Sequence, residues 1–148
     1  MPSKQPVVIR SIATDQDVEP APIDPTWLRD GKPEARARRL TLLDDSGLSA
    51  TLWQSTAGRF DWHYGSDELV YILGGEVEIT SRGGDPFTAR QGDVFFVPGG
   101  SVLHWNVRDH VKKLVVNPVQ IPLLRRLATR IPVARWAVRR MRVVLGRA

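Results

Sequence analysis

Between residues 38 and 117 the chain repeats one pattern: a short run of β-branched and aromatic residues, then Gly, Asp or Ser, then another run. The runs fall at 38–43, 48–56, 59–64, 68–73, 76–81, 87–90, 93–97, 102–108 and 111–116. Between them stand DDSG, AG, GSD, GG, RGGD, QG, PGG and RDH. Many short strands at this spacing predict an all-β sandwich or barrel. Gly74-Gly75 and the GGD at 83–85 supply the positive φ that tight hairpins need. Gly92-Asp93 leads into VFFVP, a strand apolar throughout, and Pro98 ends it because proline has no donor for a ladder.

The flanks follow other rules. Residues 1–25 carry prolines at 2, 6, 20, 22 and 25 and little periodicity, which predicts a loose arm with one edge strand at 7–10. TWLRDGKPEAR, from Thr26, reads as a short helical turn, a stop at Gly31 and extended chain after Pro33. After Pro118 the period becomes helical. Pro122 and Pro132 suit the first turns of two helices. In the second, Ala134, Ala137, Val138, Met141, Val144 and Leu145 share a face, and Arg135, Arg139 and Arg142 lie on another. The expected organisation is an arm at 1–25, a barrel at 26–117 and a basic amphipathic helical tail at 118–148.

Charge follows the same division. The net charge of +5 is misleading as a whole. Residues 121–148 carry eight arginines and no acid, whereas residues 1–120 carry 13 basic and 16 acidic side chains. The tail therefore has three readings: a helical segment docked on the barrel or a partner, an interfacial helix on an anionic membrane surface, or a nucleic-acid contact. The last is disfavoured, because aromatic interleaving and any recognised motif are missing. Cysteine is absent, which excludes disulfides, thiolate zinc sites and a cysteine nucleophile. The N-terminus lacks the apolar run of a signal peptide, and no uncharged stretch is long enough to span a bilayer. These features predict a cytoplasmic protein, peripheral at the membrane if the tail binds lipid.

The β region resembles the cupin superfamily. Cupins carry G-x5-H-x-H-x3,4-E-x6-G and then G-x5-P-x-G-x2-H-x3-N. Here Glu68-x6-Gly75 matches the end of the first motif, and Gly92-x5-Pro98-x-Gly100 matches the start of the second. LWQSTAGRFDWHYGSDELVYILGGEVEI, GDVFFVPGG, Trp105 and VKKLVV further resemble one subfamily. It includes the cupin halves of (S)-ureidoglycine aminohydrolase and the ethanolamine-utilisation cupin. The resemblance implies a single jelly-roll β-barrel, and pairing of such barrels implies a homodimer. It covers neither the arm nor the tail.

The cupin metal ligands are displaced. With three residues before Glu68 the ligand positions hold Trp62 and Tyr64; with four they hold Asp61 and His63. In the second motif the ligand position is Leu103, and His104 comes one residue late. Successive side chains on a strand point to opposite faces. Phe60, Trp62 and Tyr64 should face inward, because burying each aromatic contributes about 2–3 kcal/mol. Leu103, Trp105 and Val107 then also face inward, and His63 and His104 face out unless a bulge shifts the register. No cofactor is firmly indicated. A divalent metal on Glu68, His63 and His104 is the weaker alternative, since such ions usually want three or more protein ligands.

Glu68 is then either a structural carboxylate at a strand start or a pocket acid, and both readings stay open. As a pocket acid it would bind a cationic or amide group, or act as general acid or base. Burial among Trp53, Trp62, Tyr64 and Trp105 would raise its pKa, and a cation would pull it back. Lys113 is that candidate cation, at a position where the resemblance implies lysine. Trp27, Trp53, Trp62 and Trp105 are either plain core or a cup for a planar or cationic small molecule. Three functions follow. The first is a small-molecule-binding cupin, with Trp53, Trp62, Tyr64, Glu68, Trp105 and Lys113 lining its pocket. The second, implied by the resemblance, is a hydrolase similar to ureidoglycine aminohydrolase with Glu68 as catalyst. The third is a membrane-surface adaptor acting through the tail.

Overall fold

Three pairs of the expected short strands are continuous. The computed structural model describes residues 18–42 and 47–118. Its elements are β1 (Glu19–Pro20), a 3-10 turn (Pro25–Trp27), β2 (Leu28–Asp30), β3 (Ala35–Leu42), β4 (Leu48–His63), β5 (Glu68–Ser81), β6 (Phe87–Arg90), β7 (Val94–Val97) and β8 (Val102–Pro118). The fold is all-β, as expected. The edge strand at 7–10 and the helical tail lie outside the described residues. Among the described residues, no helix is long and apolar enough to cross a membrane.

All pairing is antiparallel. The strand order is β1-β3-β4-β8-β5-β6, with β2 added to β4 and β7 added to β5. Residues Glu19 and Pro20, read from sequence as loose arm, pair with Arg36 and Ala37. The helical turn expected from Thr26 is one 3-10 turn capped by Asp24, whose carboxylate accepts from Thr26 N at 2.8 Å. The chain is already a strand at Leu28, before Gly31.

The segments AG, GG and RDH, expected to be turns, are bulges inside β4, β5 and β8. Against β8, β4 shifts register between Thr56 and Gly58. Strand β5 shifts between Ile72 and Gly74 and again between Gly75 and Glu78. Arg108 and Asp109 of β8 fall in the gap left by these shifts. A bulge moves the inward phase by one residue and bends the strand. In β4 the inward buried set is Ser49, Trp53 and Ser55 before the bulge and Gly58 and Phe60 after it; Leu52, of opposite parity, is also buried. In β5 it is Val70 and Ile72 before and Val77 and Ile79 after. Without the phase change, half of each long strand would turn its apolar side chains to solvent. Gly58 is needed there for space: a Cβ on it would come 2.8 Å from the Pro33 ring.

The inner face gathers one core. Trp53 and Phe60 of β4, Val70, Ile72, Val77 and Ile79 of β5, and Trp105, Val107 and Val111 of β8 are its buried centre. Trp27, Trp62, Phe95 and Leu103 pack against it, partly buried.

Candidate functional site

The centre of the core is a lysine. Lys113 stands on β8 directly between Trp53 of β4 and Ile72 of β5, and is only 1% exposed. Its Nζ lies 4.3 Å from the Trp105 ring centroid, 4.8 Å from Trp53 and 5.0 Å from Trp62. The indole faces present negative quadrupole density to the ammonium and replace some of its lost hydration. The rings hold one another: Trp53 meets Trp62 edge-on at 5.3 Å, and Phe60 stacks on Trp105 at 6.1 Å. Trp105 Nε1 donates to the Tyr64 hydroxyl at 3.1 Å. Tyr64 is fixed in turn by its backbone, which accepts from Gly100 N at 2.7 Å and donates to Ser101 O at 2.9 Å. The PGG segment after β7 thus braces the ring that braces Trp105.

Glu68 opens β5 opposite Val97, on the same side as the buried Val70 and Ile72, and is partly buried. Burial pushes its carboxyl above the usual range, and the Lys113 charge pulls the other way. Burial also pulls the Lys113 amine down to about 8, against the opposing field of Glu68. Desolvation therefore outweighs the mutual attraction on both groups. Among the described residues, neither side chain has a hydrogen bond or a direct ion pair, so their charges interact across a gap. Burial likewise raises the Tyr64 phenol, which stays neutral.

The lowered Lys113 value sets a pH dependence. Between about 8 and the ordinary 10.5, the unfolded chain binds a proton that the folded chain does not. Stability should therefore rise with pH from 8 towards 10, by up to about 3 kcal/mol across the full window. Above 10 the raised Tyr64 phenol opposes the trend, because the unfolded phenol ionises first. Urea unfolding at stepped pH checks this: wild type should gain stability from pH 8 to 10, and Lys113→Met should be flat there.

The histidines lie elsewhere. His63 is exposed and stacks on Trp27 at 4.9 Å, while Trp27 also meets Trp62 edge-on at 5.5 Å. His104 sits opposite Asp61 on the outer face, its Nδ1 2.9 Å from Asp61 Oδ1. Arg29 Nε donates to the same carboxylate at 2.7 Å, and these two partners hold Asp61 below the usual carboxylate range. Glu68, His63 and His104 are not brought together, and among the described residues no group of three or more His, Asp or Glu is placed to hold a metal ion. The Arg29–Asp61–His104 cluster was not anticipated from the sequence. Its signal was there: Asp61 and His104 share outward parity on strands that become neighbours.

Residues 42–114 match the family model described as the EutQ-like cupin domain. Among curated proteins, the chain is 33% identical over 73 residues to the acetate kinase EutQ of Escherichia coli (strain K12), covering 49% of this chain and 31% of that protein. It is 32% identical over 70 residues to a pyrimidine/purine nucleoside phosphorylase of Geotalea uraniireducens (strain Rf4), covering 47% of this chain and 67% of that protein. The chain thus spans about a third of the E. coli relative. Among solved structures, it is similar to a putative ethanolamine utilization protein EutQ from Salmonella typhimurium, with TM-score 0.52, 28% identity and coverage of 57% of this chain and 69% of that one. The Clostridium difficile EutQ structure gives TM-score 0.53 and 26% identity, covering 60% and 65%.

Proposed function

Because the chain belongs to the cupin superfamily, with an EutQ-like cupin domain at residues 42–114, we propose that it binds a small molecule between Glu68 and Lys113. One observation carries this reading. A lysine only 1% exposed rests its ammonium on three indoles without an anionic contact, and the one carboxylate that shares its field is itself partly buried and unbonded. Because Lys113 already occupies the indole faces, the cup is not free for a cationic ligand. The complementary ligand offers an acceptor to Lys113 and a donor to Glu68, as an amide, ureide or amino acid does.

The test is a titration of the full chain with a panel of small amides, ureides and amino acids, read by tryptophan fluorescence. A binding compound should quench the signal, and Glu68→Gln should weaken it by roughly tenfold or more, the effect of losing a charge-assisted hydrogen bond. Equal binding by wild type and Glu68→Gln would remove Glu68 from the site.

A second reading is hydrolysis of such a nitrogen compound. Burial moves Glu68 up and Lys113 down to about 8, and both shifts favour proton transfer near neutral pH. It requires that turnover vanish in Glu68→Gln while the fold is retained.

A further inference from the structure

Among the described residues Lys113 is the only buried lysine; its neighbour Lys112 is partly buried and Lys32 is exposed. No polar side-chain atom among those residues is both shut off from solvent and without a hydrogen bond. Lys113 Nζ makes no hydrogen bond, so the amine itself keeps a small opening to solvent. The faces of Trp105, Trp53 and Trp62 stand around it at 4.3, 4.8 and 5.0 Å. The carboxylate whose charge reaches it is Glu68, on the inward side of β5 with Val70 and Ile72. The Tyr64 phenol shares the field of Glu68, stays neutral and adds no charge. An amine held in an apolar pocket with a carboxyl group near it is the arrangement that turns lysine from a solvated cation into a carbonyl nucleophile.

We propose, on the reading that a small molecule enters between Glu68 and Lys113, that Lys113 captures small aldehydes as an imine, with Glu68 as the proton donor. The neutral amine attacks the carbonyl carbon, the C–N bond forms and the π pair moves to oxygen. One proton passes from nitrogen to that oxygen and gives a carbinolamine. Glu68, as the carboxylic acid, then protonates the hydroxyl, the nitrogen lone pair forms the C=N bond, and water leaves. The products are a protonated imine, a Glu68 carboxylate and water, so atoms and charge balance and no oxidant or reductant enters. Addition of water in the reverse direction releases the aldehyde. The cationic imine stands where the ammonium stood, over three indole faces that stabilise positive charge. Burial lowers the Lys113 amine to about 8 and raises the Glu68 carboxyl, which enlarges the fractions of the two neutral forms that these steps use. A hydroxyl beside the carbonyl gives the new carboxylate a donor, so 2-hydroxyaldehydes are the preferred class.

The test uses the full chain, glycolaldehyde and sodium cyanoborohydride near neutral pH. The reductant converts the imine to a stable secondary amine, and peptide mass spectrometry follows each lysine. Lys113 should be labelled about tenfold or more faster than Lys112 and Lys32, although it is the least exposed of the three. Accessibility alone gives the reverse order, and the comparison needs no variant. Glu68→Gln should slow labelling of Lys113 by about tenfold or more and leave Lys112 unchanged, with melting like that of wild type. Tryptophan fluorescence with glycolaldehyde and no reductant reads occupancy separately. A quench without a Lys113 label overturns the imine and leaves the small-molecule site standing. Neither quench nor label overturns both. Labelling of Lys113 no faster than of Lys112, or undiminished in Glu68→Gln, likewise overturns the imine.

Discussion

Trp105→Ala is expected to destabilise the fold by about 3–5 kcal/mol, the range for deleting a buried large aromatic. Trp105 is fully buried at the crossing of three supports. It stacks on Phe60 at 6.1 Å, meets Trp53 edge-on at 6.1 Å and lies 4.3 Å beneath the Lys113 ammonium. Truncation leaves a cavity that rigid neighbouring rings cannot collapse into. It also removes the donor to the buried Tyr64 hydroxyl and one of the three indoles facing Lys113. Trp105→Phe separates these contributions. It keeps a stacking ring and loses the indole N–H, so about 1–2 kcal/mol should be lost. Urea unfolding gives both values, and a loss below about 1 kcal/mol for Trp105→Ala would mean that the aromatic cluster is not the centre of the core.

Gly75→Ala should be nearly as severe, at about 3 kcal/mol or more, although it adds a single methyl. Gly75 has φ of +71°, a region where a side chain costs roughly 1–2 kcal/mol. The added Cβ would also run into the His110 carbonyl, which is backbone of β8 and cannot rotate away. The strands would have to part at the bulge that sets the inward phase of β5. Gly74→Ala is the control next door. No atom approaches its Cβ position, and its φ is not in the positive region, so little stability should be lost. Similar melting temperatures for Gly75→Ala and wild type would refute the close-approach argument.

The pair also shows why part of the fold was hidden in the sequence. Gly-Gly between two apolar runs is the ordinary signal of a hairpin turn, and a bulge uses the same residues for the same reason. Only the position of β8 distinguishes them. Val111 and Asn106 pair with Gly75 and Glu78, so the chain continues straight past the glycines instead of reversing. RDH at 108–110 was misleading in the same way: its polar residues mark the outside of a bend.

For the site, alternation along the strands was informative. Phe60 and Trp105 sit inside while His63 is exposed and His104 pairs with Asp61 on the outer face, because a strand with one buried face gives its aromatics to that face. The cupin resemblance, not any local pattern, names Lys113 as the acid's candidate partner. Lys113 is far from Glu68 in sequence, next to the exposed-side Lys112, and nothing in VKKLVV says which lysine is buried.

The sequence by itself determined that the body is all-β, where most strands lie and that Phe60, Trp62, Tyr64, Leu103, Trp105 and Val107 face inward, because these are local matters of alternation and burial energy. Tertiary structure decided that six expected strands are three bent ones and that Lys113 fills the tryptophan cup. Each of these depends on which strands become neighbours and in what register, and pairing between residues tens of positions apart leaves no local trace.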